Sequence, residues 1–375
     1  MTEQKPPDTQ NKKQIPGRIA EVFARAVSAS MNTSSAAEDV RRVRDKYPGL
    51  PTDELAQLLI KRAARKTKWE GATNGLAVTG CEALVAAPVP EPSHKLAAGA
   101  GALTLLLGDV AFATRMQMQL LLAIATLYDC PFDPDDEEDV YVVFKAALGL
   151  TGTERVGSYA RFIFTETARK QLRNLLRSGV RRAVQEAVIK VAGRRVGVYL
   201  GEKYVMRLIP VVNAAIGYWF NNAITKSVGR WAKVRAKIRS SSFRQIEQIA
   251  VTSADALVWV LPIIFHVGTA ADSLTDGVLT LYSQCAKRLP LSEEQRGRVA
   301  MLIDAEDLPE ILEAELPQTS SAEARKALYE IALTTAAANL NPSPQECECV
   351  GSVARWLGFA SAPDDLNARV QYLKR

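Results

Sequence analysis

The residues best suited to chemistry in this sequence are few and widely separated. Only two histidines occur, His94 in a proline-rich stretch and His266 inside ALVWVLPIIFHVG. Two imidazoles are too few for a multi-histidine metal centre. A lipid-acting hydrolase with His266, Asp255 or Asp272 in its site stays open, although no nucleophile elbow accompanies those residues. A lone histidine in so apolar a run is more often a hydrogen-bonded core residue. Cys347-Glu348-Cys349 resembles a chelating pair until it is placed on a helix. Two residues there are about 200° apart, so the thiols point to opposite sides.

Six acids fall within Asp133–Asp139. A calcium loop needs a glycine at its sixth place and a glutamate at its twelfth, and neither is present. The same acids suit a helix start, with Asp133 as N-cap, Pro134 at the first helical position and Asp135, Asp136, Glu137 and Glu138 beside the positive end of the dipole. There is no P-loop and no strand–GxGxxG–helix unit, so no cofactor or metal is expected.

Charge is more informative than any motif. Between Arg155 and Arg239 there are 19 Lys/Arg against 3 Asp/Glu, a local +16, in a chain whose total is only +6. Arg169, Arg173 and Arg177 recur at four-residue spacing beside Ala168, Leu172, Leu175 and Leu176, and Arg181, Arg182, Lys190, Arg194 and Arg195 extend the row. A basic amphipathic helix of this kind suits an anionic lipid surface, and it equally suits a solvated face. Nucleic acid is a weaker match, because no helix-turn-helix or RNA-binding motif accompanies the arginines. From Leu291 to Arg375 the balance reverses, with 8 Lys/Arg against 14 Asp/Glu. An acidic end suits a protein partner, or the basic middle itself.

The elements that must position these groups are helices. Apolar residues recur at three and four, and period-two alternation is never sustained. The spacing predicts a polar, disordered tail over 1–14 and helices over 16–31 and 35–47, the second stopped by Pro48-Gly49. Thr52-Asp53-Glu54 opens a basic helix ending near Trp69, and glycine-rich, proline-punctuated chain is expected from there to Pro92. One or two apolar helices cover 95–128. On that wheel Arg115, Gln119, Leu122 and Thr126 share a narrow face. With Asp109 they suit polar groups paired in the core or at its edge, and they are also candidates to line a polar cleft, as are Asn213, Asn221 and His266. The apolar stretches 95–128, 205–224 and 255–283 are expected to build the core and a shallow insertion surface. None suits a span of about 20 apolar residues.

Gly193, Gly197 and Gly201 make a small-residue stripe for close helix packing. Five scattered cysteines behind a polar start read as free thiols in a reducing compartment. Ser292-Glu293-Glu294-Gln295, Ser320-Ser321-Ala322-Glu323 and Ser343-Pro344-Gln345-Glu346 fit capping boxes and imply four or five short helices after Leu291. The expected division is therefore a tail over 1–14, a helical domain over 15–289 and a small helical bundle over 290–375.

LPTDELAQLLIKRAARKTKWEGATNGLA, the block GDVAFATRMQMQLLLAIATLYDCPFDPDDEED and LIPVVNAAIGYWFNNAITKSVGRWA together resemble the EcsC family of bacterial proteins. That family's pattern has a leucine–tyrosine–glycine turn, at which Leu127-Tyr128-Asp129 stands here with aspartate in the glycine's place. Its later helix matches Pro210, Gly217, Asn221 and Gly229. The resemblance implies an all-α bundle and a membrane neighbourhood, since the founding member is encoded with an ATP-binding-cassette transporter. It supplies no catalytic residues. LYEIALTTAAANLNPSPQECECVGSVARWLGF resembles a TerB-like, tellurite-resistance type domain, with Asn339-Leu340-Asn341 where that family carries an aspartate–glycine pair. The expectation is a non-enzymatic protein held peripherally on the inner face of a bacterial membrane.

Overall fold

The computed structural model describes residues 33–86, 112–133, 136, 139, 142–143, 146–147, 210–270, 275–319, 321–360 and 363–375. Among them every regular element is helical and no strand occurs. They fall into two compact units: the first takes in the described residues up to Leu127 and from Pro131 to Ala232, and the second takes in Tyr128–Cys130 and Lys233–Arg375.

The first unit begins with α1 (Thr33–Lys46), which buries Ala36, Val40 and Val43 at four- and three-residue spacing. Gly49 at φ +84° turns the chain midway between α1 and α2, a backbone that glycine adopts without steric penalty. α2 (Thr52–Ala86) starts at Thr52 as the sequence indicates, but it does not stop near Trp69. It runs on through Gly71, Gly75 and Gly80. Each glycine costs about 1 kcal/mol against alanine in a helix, yet it keeps the amide hydrogen that proline lacks. The next proline after Pro51 is Pro88, beyond the last turn.

α3 (residues 112–127) is buried on most sides, with Met118, Leu121, Leu122 and Ile124 shielded from solvent. It closes on Asp129 at φ +58°, and the Arg44 guanidinium donates to the Leu127 carbonyl at 3.1 Å. Beyond it, the Asp139 carboxylate accepts from the Asp133 amide at 3.0 Å. Asp136 lies outside the helix and Asp139 inside it, so that helix starts later than a cap at Asp133 implies.

α4 (Pro210–Thr252) is a 43-residue helix whose sequence passes from one unit to the other. In the second unit a 3-10 turn (Ala254–Trp259) leads into α5 (Val260–Thr269). Here Val260, Ile263, Ile264 and Val267 are completely buried, which makes α5 the central strut and not an insertion surface. Pro262 sits in its first turn, where a missing amide hydrogen does no harm.

Around α5 stand α6 (Asp276–Arg288), α7 (Glu293–Asp304), α8 (Leu308–Glu315), α9 (Ala322–Ala337) and α10 (Pro344–Trp356), and α11 (Pro363–Lys374) packs on α9 and α10. Alanines 324, 327, 332 and 336 on α9 are buried and keep its side chains short where other helices approach. One hydrophobic core runs from Ile238 to Leu373, and Cys285, Leu289, Leu291 and Val299 carry it across the 289–290 junction without a break.

Capping boxes close at Ser292/Gln295 and Ser343/Glu346, each with both reciprocal hydrogen bonds. On α9 the cap is Ser321, one residue later than the sequence pattern suggests. Its hydroxyl accepts from the Ala324 amide at 3.1 Å.

Candidate functional site

In the first unit α2 and α4 meet through their smallest and their polar residues. A Cβ on Gly229 would sit 2.6 Å from the Ile60 side chain, so the absence of one is what admits Ile60. One turn along, the Thr67 and Thr225 hydroxyls lie 2.9 Å apart, and Gln117 of α3 donates to Thr225 Oγ1 at 3.2 Å. Thr67 Oγ1 also reaches the Ala63 and Ala64 carbonyls of its own helix at 3.2 and 3.3 Å. All three side chains are buried, and a satisfied polar group in a core fixes register where apolar contact alone would allow slippage.

This junction places a row of cations on the outer side of the pair. Lys61, Arg62, Arg65 and Lys66 of α2 and Lys226 and Arg230 of α4 are all exposed. No Asp or Glu occurs between Leu55 and Trp69. At 100° per residue the four α2 cations and Trp69 span an arc of about 140°, with the tryptophan near its middle. Trp69 is 62 % exposed, an unusual position for so large an apolar ring.

The family profile of the EcsC proteins matches residues 5–240, well over half of the sequence. The chain belongs to the EcsC protein family. No curated protein and no solved structure matches it.

In this EcsC chain the cationic face and the polar junction lie within the matched residues, whereas the helices after Leu291 lie beyond them. The leucine–tyrosine–aspartate turn of the sequence pattern is the left-handed close of α3, where Asp129 carries the positive φ that favours glycine.

The arginine row Arg169, Arg173, Arg177, Arg181, Arg182, Arg194 and Arg195 lies outside the described residues, as does Asp109. Asn213 and Asn221 lie on α4 ahead of its described side chains. On α3, Arg115 is exposed, Gln119 is half-buried, and Thr126 donates to its own helix at the Leu122 carbonyl over 2.9 Å. That face is the wetter edge of a buried helix. The buried polar contact comes from Gln117, which no wheel position distinguished.

His266 lies on α5 in the second unit, tilted over Trp356 with ring centroids 5.5 Å apart. Its Nε2 is buried without a hydrogen-bond partner, and burial holds its pKa below the usual 6.5. Asp255, one of its proposed companions, is exposed. On α10 Cys347 is exposed and Cys349 half-buried, and burial together with Glu346 and Glu348 raises both thiols. Among the described residues no group of His, Cys, Asp and Glu is arranged to hold a metal ion.

The turn between α9 and α10 is a structural knot. Thr275 donates to Asn339 Oδ1 at 2.5 Å, Asn339 donates to Glu346 Oε1 at 3.4 Å, and Glu346 Oε2 accepts from the Ser343 amide at 2.7 Å. Both carboxylate oxygens of Glu346 are thereby engaged.

Two open grooves lie in the same unit. One, of about 350 Å³, is lined by Arg325, Arg355, Trp356 and Phe359. The other, of about 320 Å³, is lined by Tyr329, Asn341, Cys347, Asn367 and Lys374. Tyr329 donates to Asp365 at 3.2 Å, and burial with that carboxylate pushes its phenol up to about 12.

The residues that sequence reading missed are two buried lysines and one half-buried arginine. Lys237 is 1 % exposed, donates to the Tyr372 carbonyl at 2.8 Å and sits 4.5 Å from the Tyr372 ring centroid. Lys233 donates to the Arg375 carbonyl. Arg369 of α11 pairs with Glu330 and donates to Ser241 at 3.1 Å. Positive charge at the end of α11 complements its free carbonyls. The end of the basic segment therefore holds helices together, and its four-residue Lys233–Lys237 spacing was the one signal of a shared target.

Proposed function

We propose that this EcsC-family chain is a non-enzymatic protein that docks peripherally on the cytoplasmic face of an anionic membrane. The observation that carries this reading is the charge excess between Arg155 and Arg239, 19 Lys/Arg against 3 Asp/Glu. The row Arg169, Arg173 and Arg177, continued by Arg181, Arg182, Arg194 and Arg195, makes the lipid contact. The acidic helices after Leu291, read as a TerB-like bundle, take a protein partner in membrane transport or stress. Among the described residues no helix is long and apolar enough to cross a membrane, which suits docking at the surface.

Each cation near an anionic surface contributes on the order of 1 kcal/mol. Replacing Arg169, Arg173 and Arg177 by Glu should weaken co-sedimentation with phosphatidylglycerol vesicles about a hundredfold or more and leave neutral vesicles little affected. Salt should weaken the wild-type protein as well. A folded triple variant that still sediments like wild type would overturn the assignment of the row.

A further inference from the structure

We infer that α2 and α4 form a paired wedge whose cations meet the headgroups of an anionic bilayer and whose low-charge ends, with Trp69 at the junction, enter the outer acyl region. This rests on the membrane-docking reading and adds a second contact, distinct from the arginine row. The two helices are antiparallel, because Ile60 lies against Gly229 while Thr67 lies against Thr225. The part of α2 after Thr67 and the part of α4 before Thr225 therefore leave the crossing on the same side.

Both helices change character at that level. α2 carries Lys61, Arg62, Arg65, Lys66 and Lys68 up to the crossing, and after Glu70 its only charge as far as Ala86 is Glu82. α4 has no charged residue from Pro210 to Thr225, and then Lys226 and Arg230 follow. The change of sequence on one helix is the mirror of the change on the other. Such matching is not required of a solvated surface, but a planar boundary between water and hydrocarbon imposes it on every element that meets it.

The remaining features fit that boundary. Trp69 marks the level on α2 and is 62 % exposed. An indole belongs at an interface, because it joins an apolar body to a polar N–H. The exposed cations have stems long enough to lie along an apolar surface while their heads reach phosphates. Each low-charge segment is 16 residues long, or about 24 Å at 1.5 Å per residue. That passes a headgroup layer but falls short of a 30 Å hydrocarbon core. An anionic polynucleotide would also match the cations, but it would gain nothing from two low-charge helix ends.

The test uses the full chain with vesicles of phosphatidylglycerol and phosphatidylcholine, some carrying brominated acyl chains. Wild type should bind and lose tryptophan fluorescence to the bromolipid. Trp69→Phe should remove part of that quenching. The triple variant K61Q/R65Q/R230Q, whose targets are exposed, should keep its circular dichroism spectrum and bind about a hundredfold more weakly.

If the triple variant and Trp69→Phe both behave as wild type while the Arg169/Arg173/Arg177 variant releases the vesicles, the wedge is overturned and the docking reading stands. If wild type binds no vesicle, or binds only single-stranded DNA, both fall. Should the triple variant not fold, the Trp69→Phe difference decides alone, and an unchanged quenching signal overturns the wedge.

Discussion

Asp129 is the residue at which local backbone chemistry and family pattern coincide. Left-handed backbone is disfavoured by roughly 1–2 kcal/mol for residues with a Cβ, less for Asp and Asn, and not for glycine. Asp129→Ala should therefore lower the urea midpoint by about 1 kcal/mol of stability, while Asp129→Gly and Asp129→Asn stay near wild type. Equal loss in all three would mean that its side-chain contacts, not φ, decide. His266 makes a second residue-scale case. Burial lowers its folded pKa below the 6.5 of the unfolded chain. The unfolded state then takes up a proton that the folded state resists, so stability is intact above pH 6.5 and is lost as pH falls through the folded pKa. Urea midpoints of wild type between pH 8 and 5 should drop on the acid side. His266→Gln should drop less, and identical curves would assign the acid sensitivity elsewhere.

At the scale of elements, the Gln117–Thr225–Thr67 chain ties α3, α4 and α2 together through directional contacts. Thr225→Val strands the Gln117 amide in a dry core, at a cost of about 1–3 kcal/mol. Thr67→Val removes a hydroxyl that also bonds its own helix, and it should cost less. Because the two threonines share one hydrogen bond, the double variant should cost less than the sum of the singles, a coupling of at least 0.5 kcal/mol in a double-mutant cycle. Strict additivity in chemical denaturation would show the bond to be idle. α2 shows that glycine alone does not end a helix. Its glycines invite a break after Trp69, and the helix continues because nothing removes an amide hydrogen before Pro88.

At the scale of the whole chain, the core from Ile238 to Leu373 defines what can fold alone. α5 fills its centre, and α9 and α10 pack on it, so a fragment starting at Leu291 leaves those faces bare. We expect residues 233–375 to melt cooperatively by far-UV circular dichroism and residues 291–375 to give a broad, weakly helical trace. A sharp melt of the shorter fragment would show that its caps suffice without α5. The longer fragment also keeps Lys233 and Lys237 with their carbonyl partners on α11.

What was legible in the sequence is whatever depends on near neighbours. Helical periodicity, the boxes at Ser292 and Ser343, the stop at Gly49 and the special turn at Asp129 all arise within a few residues, where hydrogen-bond geometry and sterics act directly. The family could be read too, because its pattern is spread along helices in order. The tertiary structure alone decided which charges are free to act. Lys237 and Lys226 carry the same charge on one helix, yet the first is buried against Tyr372 and the second faces solvent. It alone showed that α5 is all core and no insertion surface, and it alone placed the low-charge ends of α2 and α4 on one side of a crossing. Burial and adjacency are set by packing between residues more than a hundred positions apart, as Thr67 and Thr225 are, and no local pattern encodes which partner will arrive.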